Sequence, residues 1–560
     1  MVLRRIGFAL LMLVCLGQVA SAETLAELSE SFWQWRAAEQ PFTNDDIPRI
    51  DRPVGFRVDW AAATVATRLD ALAKFEQRWH ALTPAANSTV PEQVDYRLVG
   101  AAIARVRWEL ALEQNWKRNP GFYVDQTVGS VFVLLLPPPP FSAARQGEIV
   151  ARMRQIPATL SDGKANLTDM RQPFVQLAID GLDDVVGRMQ ATVAALTPEL
   201  TPENATALKA AAGPAAKALV DYRAWLQTKL AGAKTETAIG RENYLWFLRN
   251  VALIPYTPEE MLALSRQEWS RAVSFEAYEQ GRLAGKPPAT IFPSAAAQIE
   301  QERLDEASVR RFLTEQKILT VPDWMRHYQN QLLPKYLEPF EDLGVTDDLT
   351  GPGRLTEPGT SYIHTPSPSL GYFFLSTAKD PRPIIVHEGV PGHYFQLALG
   401  WHQADPIRRH YYDSGANEGI GFYAEEMMLQ AGLFEDRPRT REIIDSFMRL
   451  RALRVEVDVK LALGQFSLQQ AAEYLASTVP MDKKTAVGEA AMFASTPGQA
   501  ITYQIGKVQI MQMLADARRQ QGSAFSLQAF HDFVWTNGNV PIALQRWELL
   551  GDATDVPPIQ

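Results

Sequence analysis

Apolar positions recur at threes and fours along most of this chain, the period of helices with one buried face. Val99, Ala102, Ile103, Val106 and Leu110 make one such stripe. Arg105 and Arg107 fall off it and are expected to face solvent. Helical patterning runs from Thr24 to about Thr235, where Thr201-Pro202-Glu203 before a run of alanines reads as a capped start. A second helical stretch begins at Gly240-Arg241-Glu242-Asn243-Tyr244. Pro258-Glu259-Glu260 opens the next helix with acidic residues at the positive end of its dipole. Lys286 to Pro293 is a Pro-rich break, and Val321-Pro322-Asp323-Trp324 precedes a further helix expected to end near Leu343-Gly344.

Two stretches break the rhythm. Val131 to Leu136 is followed by four prolines, Pro137 to Pro140. Six apolar residues are too few to span a bilayer, so a buried helix end stopped by proline is expected. Thr350 to Pro383 is rich in Gly, Pro, Ser and Thr. Within it, Gly371-Tyr372-Phe373-Phe374-Leu375-Ser376 is the best strand candidate. As a sheet edge, Gly371, Tyr372 and Phe373 would bind an extended substrate through main-chain hydrogen bonds; an ordinary hairpin strand is the alternative. The fold class expected is mainly α, with an N-terminal helical part over 23–239 and a second over 240–560, together one continuous domain.

Composition changes this picture little. Hydrophobic residues are 46% and charged residues 21%, which suits a globular core. The net charge of −9 argues against nucleic acid or an anionic membrane surface as partner. The first 22 residues read as a targeting segment: Arg4 and Arg5, an apolar run from Ile6 to Leu16, and Ala20-Ser21-Ala22 as a cleavage site. Cleavage after Ala22 removes Cys15, the single cysteine, and Val14 before it fits a lipoprotein site poorly. A periplasmic or secreted protein with no disulfide and no stable membrane insertion is expected.

The chemistry concentrates in His387-Glu388-Gly389-Val390-Pro391-Gly392-His393. Two imidazoles and a carboxylate can hold a catalytic zinc, and a second carboxylate can take a proton from water. In the commonest form of such a motif the histidines stand four apart on one helix face. Here they stand six apart, roughly 240° and about 9 Å along a regular helix, which points them away from each other. Pro391 and Gly392 would have to break or bulge the turn to bring His393 round. Taken alone, two unrelated histidines beside a Pro-Gly helix stop are equally compatible with the residues.

Three motifs together resolve this. The stretch from His387 to Leu397, Glu418-Gly419-Ile420-Gly421-Phe422-Tyr423-Ala424-Glu425, and Thr496 to Gly506 resemble, in this order, the signatures of the bacterial domain-of-unknown-function 885 family. Asn115, Trp116, Asn119 to Tyr123 and Phe530-His531-Asp532 are similar to further family positions. The family in turn resembles glutamate-type zinc peptidases, such as thimet-type oligopeptidases and helical carboxypeptidases. The resemblance implies two helical halves around a groove, a small β element near the metal, and one zinc per chain. It implies His387, His393 and Glu418 as ligands, Glu388 as general base, and Tyr503 as donor to the oxyanion. Glu425, about two helical turns on, is the rival for the third ligand position and otherwise would stand behind the ligands, and Glu426 reads as a solvated charge. Arg454 and Asp458, four apart on one helix, can pair, or Asp458 can orient a ligand imidazole.

The implied function is an exported zinc metallopeptidase acting on a peptide or small amide. A zinc-dependent amidase or esterase, or a non-catalytic metal- or peptide-binding protein, are the alternatives. The chain departs from the family pattern at Ile420, Ala462, Gln465, Met492 and Phe493, which leaves specificity open, and oligomeric state cannot be read.

Overall fold

The computed structural model describes residues 23–43, 52–53, 55–344, 346–349 and 355–559. The targeting segment read over residues 1–22 lies outside them. Helices dominate. Val90–Arg107 carries the stripe beginning at Val99, and Val99, Ala102, Ile103, Val106 and Leu110 are all buried. Arg107 pairs with Glu76, and Arg105 is half-buried rather than solvated. The helix starts at Thr89 and Thr257 are reciprocal caps, the threonine hydroxyl accepting a backbone N–H and Glu92 or Glu260 answering it. Thr201 caps Pro202–Lys229 as expected. Ser130–Leu135 is a buried helix that ends before the prolines, where Arg145 Nε donates to Leu134 O at 2.6 Å.

Three short strands form the only sheet among the described residues: β1 (Tyr328–Leu332), β2 (Asp347–Asp348) and β3 (Gly359–Ile363), in the order β1-β3-β2. β1 runs parallel to β3 with Tyr328 opposite Gly359, and β2 is antiparallel to β3. This corrects two sequence expectations. The helix expected after Trp324 is instead β1 followed by the tight turn Glu338–Leu343. Pro334 and Pro339 deny it the N–H groups a helix needs. The strand expected at Gly371–Ser376 is the helix Tyr372–Thr377. Its aromatic run fits either state, and tertiary partners choose. Tyr372 and Phe373 pack on Phe447, and the Tyr372 N–H donates to the Asp482 carboxylate. Gly371, Tyr372 and Phe373 therefore offer no strand edge to a substrate.

Four elements of the C-terminal part frame the candidate site: a histidine helix (His393–His402), a glutamate helix (Ser414–Ala431), an arginine helix (Thr440–Ala462) and a tyrosine helix (Thr502–Gln521). The glutamate and tyrosine helices touch backbone to backbone. A Cβ on Gly506 would sit 2.2 Å from Gly415 O, and one on Gly419 would sit 2.7 Å from Gly506 Cα. The glycines of two of the sequence motifs are thus packing residues that bring Glu418 and Tyr503 to one place. The sheet leans on the same region, since Cβ atoms added at Gly359 and Gly389 would strike the Tyr394 and Tyr328 rings. No described helix is long and apolar enough to cross a membrane.

Candidate metal centre

The chain solves the six-residue spacing by a bulge. Ile385–Gly389 is a wide π turn, Val390 is extended, and a new helix starts at His393. The imidazoles then meet, ring centroids 4.6 Å apart at 76°. Gly392 is required for space, because a Cβ there would lie 1.7 Å from His387 O. The wide turn and the second helix can abut only where a side chain is missing.

Three atoms converge. Glu418 Oε2 lies 3.3 Å from His387 Nε2 and 3.2 Å from His393 Nε2. A tetrahedral zinc with ligands at about 2.0–2.1 Å places neighbouring ligand atoms about 3.3 Å apart. Glu388 reaches both Nε2 atoms at 3.9 Å, farther than a shared ligand edge. His387, Glu388 and His393 are also close enough to hold a metal ion, with one donor atom of each within 4.8 Å of the others. Two carboxylates thus compete for third place, and distance favours Glu418 as ligand with Glu388 beside it.

The donor chemistry fits a cation. His387 Nδ1 faces Glu425 Oε1 at 2.7 Å, and a proton on that nitrogen turns the Nε2 lone pair toward Glu418. Arg451 Nη2 also approaches Nδ1, at 3.3 Å, but the carboxylate contact is shorter. Glu418 Oε2 has the two imidazole Nε2 atoms as its polar neighbours, and its side chain is only 5% exposed. Lone pairs facing one another in a buried site are unfavourable unless a cation lies between them. Burial raises the Glu418 carboxyl, but the two imidazoles outweigh it and hold the group well below the carboxylate range. For His387, burial and Arg451 act downward, and Glu418 with Glu425 prevail to raise it. Burial pushes Glu388 up, opposed by His393 and aided by Asp347 and Glu418. Its side chain keeps 23% exposure, the most open of the four.

Glu425 stands behind the His387 imidazole. It is fully buried and takes Arg451 in a two-point pair, at 2.8 Å and 3.2 Å. Sequence reasoning missed Arg451. The signal was a cation inside an apolar helical run, between Leu450 and Ala452 and three residues before Arg454. Gly421, one turn after Glu418, completes the fit, because a Cβ there would lie 2.9 Å from His393 Cε1 and 3.0 Å from His387 Cε1.

Arg454 and Asp458 do not pair. Arg454 donates twice to Glu489, at 2.7 Å, and covers the faces of Tyr503 and Phe373. Asp458 touches no imidazole. It accepts from the N–H groups of Gly498 and Ala500 and from Tyr244 Oη, and so fixes the turn from which Tyr503 emerges. The Tyr503 ring lies near-parallel to that of His387, at 6.1 Å. Glu426 is no solvated charge. Its carboxylate is buried between Arg271 and Lys507, with Glu268 closing the cluster. This network ties three helices behind the site, a use of charge that sequence alone does not separate from a solvated helix face.

A family model, bacterial protein of unknown function (DUF885), matches residues 57–548. The chain belongs to the DUF885 family. Two solved structures share its fold. One is a candidate lipoprotein of unknown function from Shewanella oneidensis, 17% identical with TM-score 0.69, covering 94% of this chain and 100% of that one. The other is a candidate lipoprotein from Colwellia psychrerythraea, 17% identical with TM-score 0.74, covering 94% of this chain and 98% of that one. No match is found among curated proteins.

Proposed function

We propose that this DUF885 protein is a zinc-dependent hydrolase of peptide bonds. The observation that carries the reading is the approach of Glu418 Oε2 to His387 Nε2 and His393 Nε2 at 3.3 Å and 3.2 Å, the edge length of a tetrahedral zinc site, with Glu388 at 3.9 Å. When bound, zinc supplies a Lewis acid that polarises the scissile carbonyl and acidifies water. Glu388 takes the proton of the attacking water and returns it to the departing amine nitrogen. Tyr503 is the donor we assign to the developing oxyanion. Arg451 and Glu425 hold the His387 ring in one tautomer, and Asp458 holds the turn that carries Tyr503.

Location outside the cytoplasm is part of the proposal. It is supported by the charge pattern of residues 1–22 and by the description of both structural neighbours as candidate lipoproteins.

The test is digestion of a peptide library by the purified protein, with zinc, with chelator, and after zinc is returned. Activity should vanish and return, and Glu388→Gln should keep its zinc while losing at least about 100-fold in turnover. Cleavage that survives verified metal removal, or a Glu388→Gln variant as fast as wild type, refutes the assignment.

A further inference from the structure

Phe530-His531-Asp532, one of the stretches similar to family positions, has no role in the metal centre described above. It belongs to the helix Leu527–Thr536, and the buried polar groups of that helix end on the metal motif. Trp535, one turn after His531, is fully buried, and its indole Nε1 donates to Pro391 O at 2.6 Å. That carbonyl lies inside the bulge. The wide turn before it closes with the Val390 N–H on Ile385 O, and the helix after it opens with the Gln396 N–H on Gly392 O. Pro391 O falls between these two ladders and takes the indole N–H instead. A buried carbonyl without a donor is unfavourable, so a bulge deprived of the indole shifts to find one, and His393, two residues on, shifts with it.

The turn that follows the helix reaches further. Gly538, at φ +67°, presents its carbonyl to Gln396 Nε2 at 2.9 Å. Gln396 Oε1 in turn accepts from Asn417 Nδ2 at 2.6 Å. Gln396 stands three residues after His393 and Asn417 immediately before Glu418, and both side chains are fully buried. A relay of buried amides thus joins the turn to the histidine helix, and the histidine helix to the glutamate helix. The turn is itself pinned, since Asn537 accepts from Arg408 at 2.7 Å and donates to Glu548 at 2.9 Å. His531 adds a second link to the glutamate helix. Its Nδ1 meets Ile318 O at 2.8 Å and, a carbonyl being an acceptor only, carries the proton, so Nε2 accepts from Tyr423 Oη at 2.9 Å. Burial lowers this imidazole to about 4, which keeps it neutral.

We propose that the helix Leu527–Thr536 and its turn are the positioning device of the metal centre. Trp535 holds the bulge that brings His387 and His393 together, and the Gln396–Asn417 relay sets His393 against Glu418. The inference rests on the metal reading and goes beyond it, placing a determinant of cation affinity 144 residues from the motif it serves.

The test is zinc affinity, measured by competition with a chromophoric chelator, together with the visible spectrum of the cobalt-loaded protein, whose bands report coordination geometry. Trp535→Phe removes the N–H and keeps an aromatic ring. It should weaken zinc binding about tenfold or more and shift the cobalt bands. Asn417→Ala breaks the relay at its far end and should act in the same direction. Val534→Ala lies in the same helix, is fully buried and makes none of these hydrogen bonds, so it is the control for lost packing. It should lower the Tm of the metal-free protein and leave affinity and spectrum as in the wild type. If Trp535→Phe does not fold, as judged by circular dichroism, Asn417→Ala decides. Wild-type affinity and spectrum in either variant that folds, or an equal loss of affinity in Val534→Ala, overturn the proposal and leave the metal reading standing. A wild-type protein that binds neither zinc nor cobalt overturns both.

Discussion

Removing the charge of Glu425 tests the site through a residue that is not itself one of the converging ligand atoms. Glu425 is fully enclosed and Arg451 is only 4% exposed, and their two-point contact also fixes His387 Nδ1. Glu425→Gln keeps the shape and an acceptor for Nδ1 but leaves Arg451 as an uncompensated buried cation. Breaking one partner of such a pair costs about 3–5 kcal/mol. Loss of the carboxylate behind a ligand imidazole lowers metal affinity about 10- to 100-fold. Arg451→Met should destabilise on the same scale, because Glu425 is then the orphan. The double variant removes both charges, so it should be less destabilised than the two single losses added, with a coupling of about 1–3 kcal/mol. Urea denaturation of the metal-free proteins followed by circular dichroism gives the stabilities, and zinc titration against a fluorescent chelator gives the affinities. Glu418→Ala is the contrast: it should abolish tight zinc binding outright. Additive single effects, or zinc lost in Glu425→Gln and kept in Glu418→Ala, would refute the ligand order drawn from the distances.

Three further perturbations follow from particular contacts. Gly392→Ala forces a Cβ against His387 O, a backbone atom that cannot rotate away. It should cost more than about 3 kcal/mol in stability and lose zinc, whereas unchanged zinc content would show that the bulge is not built as described. Tyr503→Phe should lower kcat by about 100- to 1000-fold with KM and zinc content nearly unchanged, and an unaltered rate would return the residue to a packing role. Asp445 is buried with Oδ2 lacking a partner, and burial, with Glu279 and Glu276 near, lifts its carboxyl to about 7 against the pull of Arg441. A raised carboxyl favours folding while protonated, so this contribution is present at pH 4 and is lost as pH rises through 7. Asp445→Asn should therefore gain Tm over wild type at pH 8 and not at pH 4; equal differences at both would refute the burial argument.

The sequence by itself determined the helical class, because a 3.6-residue apolar stripe such as that of Val99 to Leu110 has one way to be buried. It also marked particular helix starts, such as those at Pro202 and Pro258, where Thr201 and Thr257 accept a free N–H of the first turn. It picked out the histidines and glutamates of the site because three motifs occur in a fixed order, although each alone was ambiguous. Other features were decided only by tertiary structure. Gly371–Ser376 became a helix because Phe447 and Asp482 were there to receive it, and Val321–Gly344 gave a strand because β3 was there to pair with it. Arg454 found Glu489 rather than Asp458, and Glu426 went inside because Lys507 and Arg271 came from helices distant in the chain. Partners of that kind carry no local signal, since a side chain's periodicity says which face it lies on and not what will cover that face. Gly392 shows the same limit at a single atom: its place in the motif was readable, but its reason, the oxygen of His387 where a Cβ would have to be, exists only once the chain has folded.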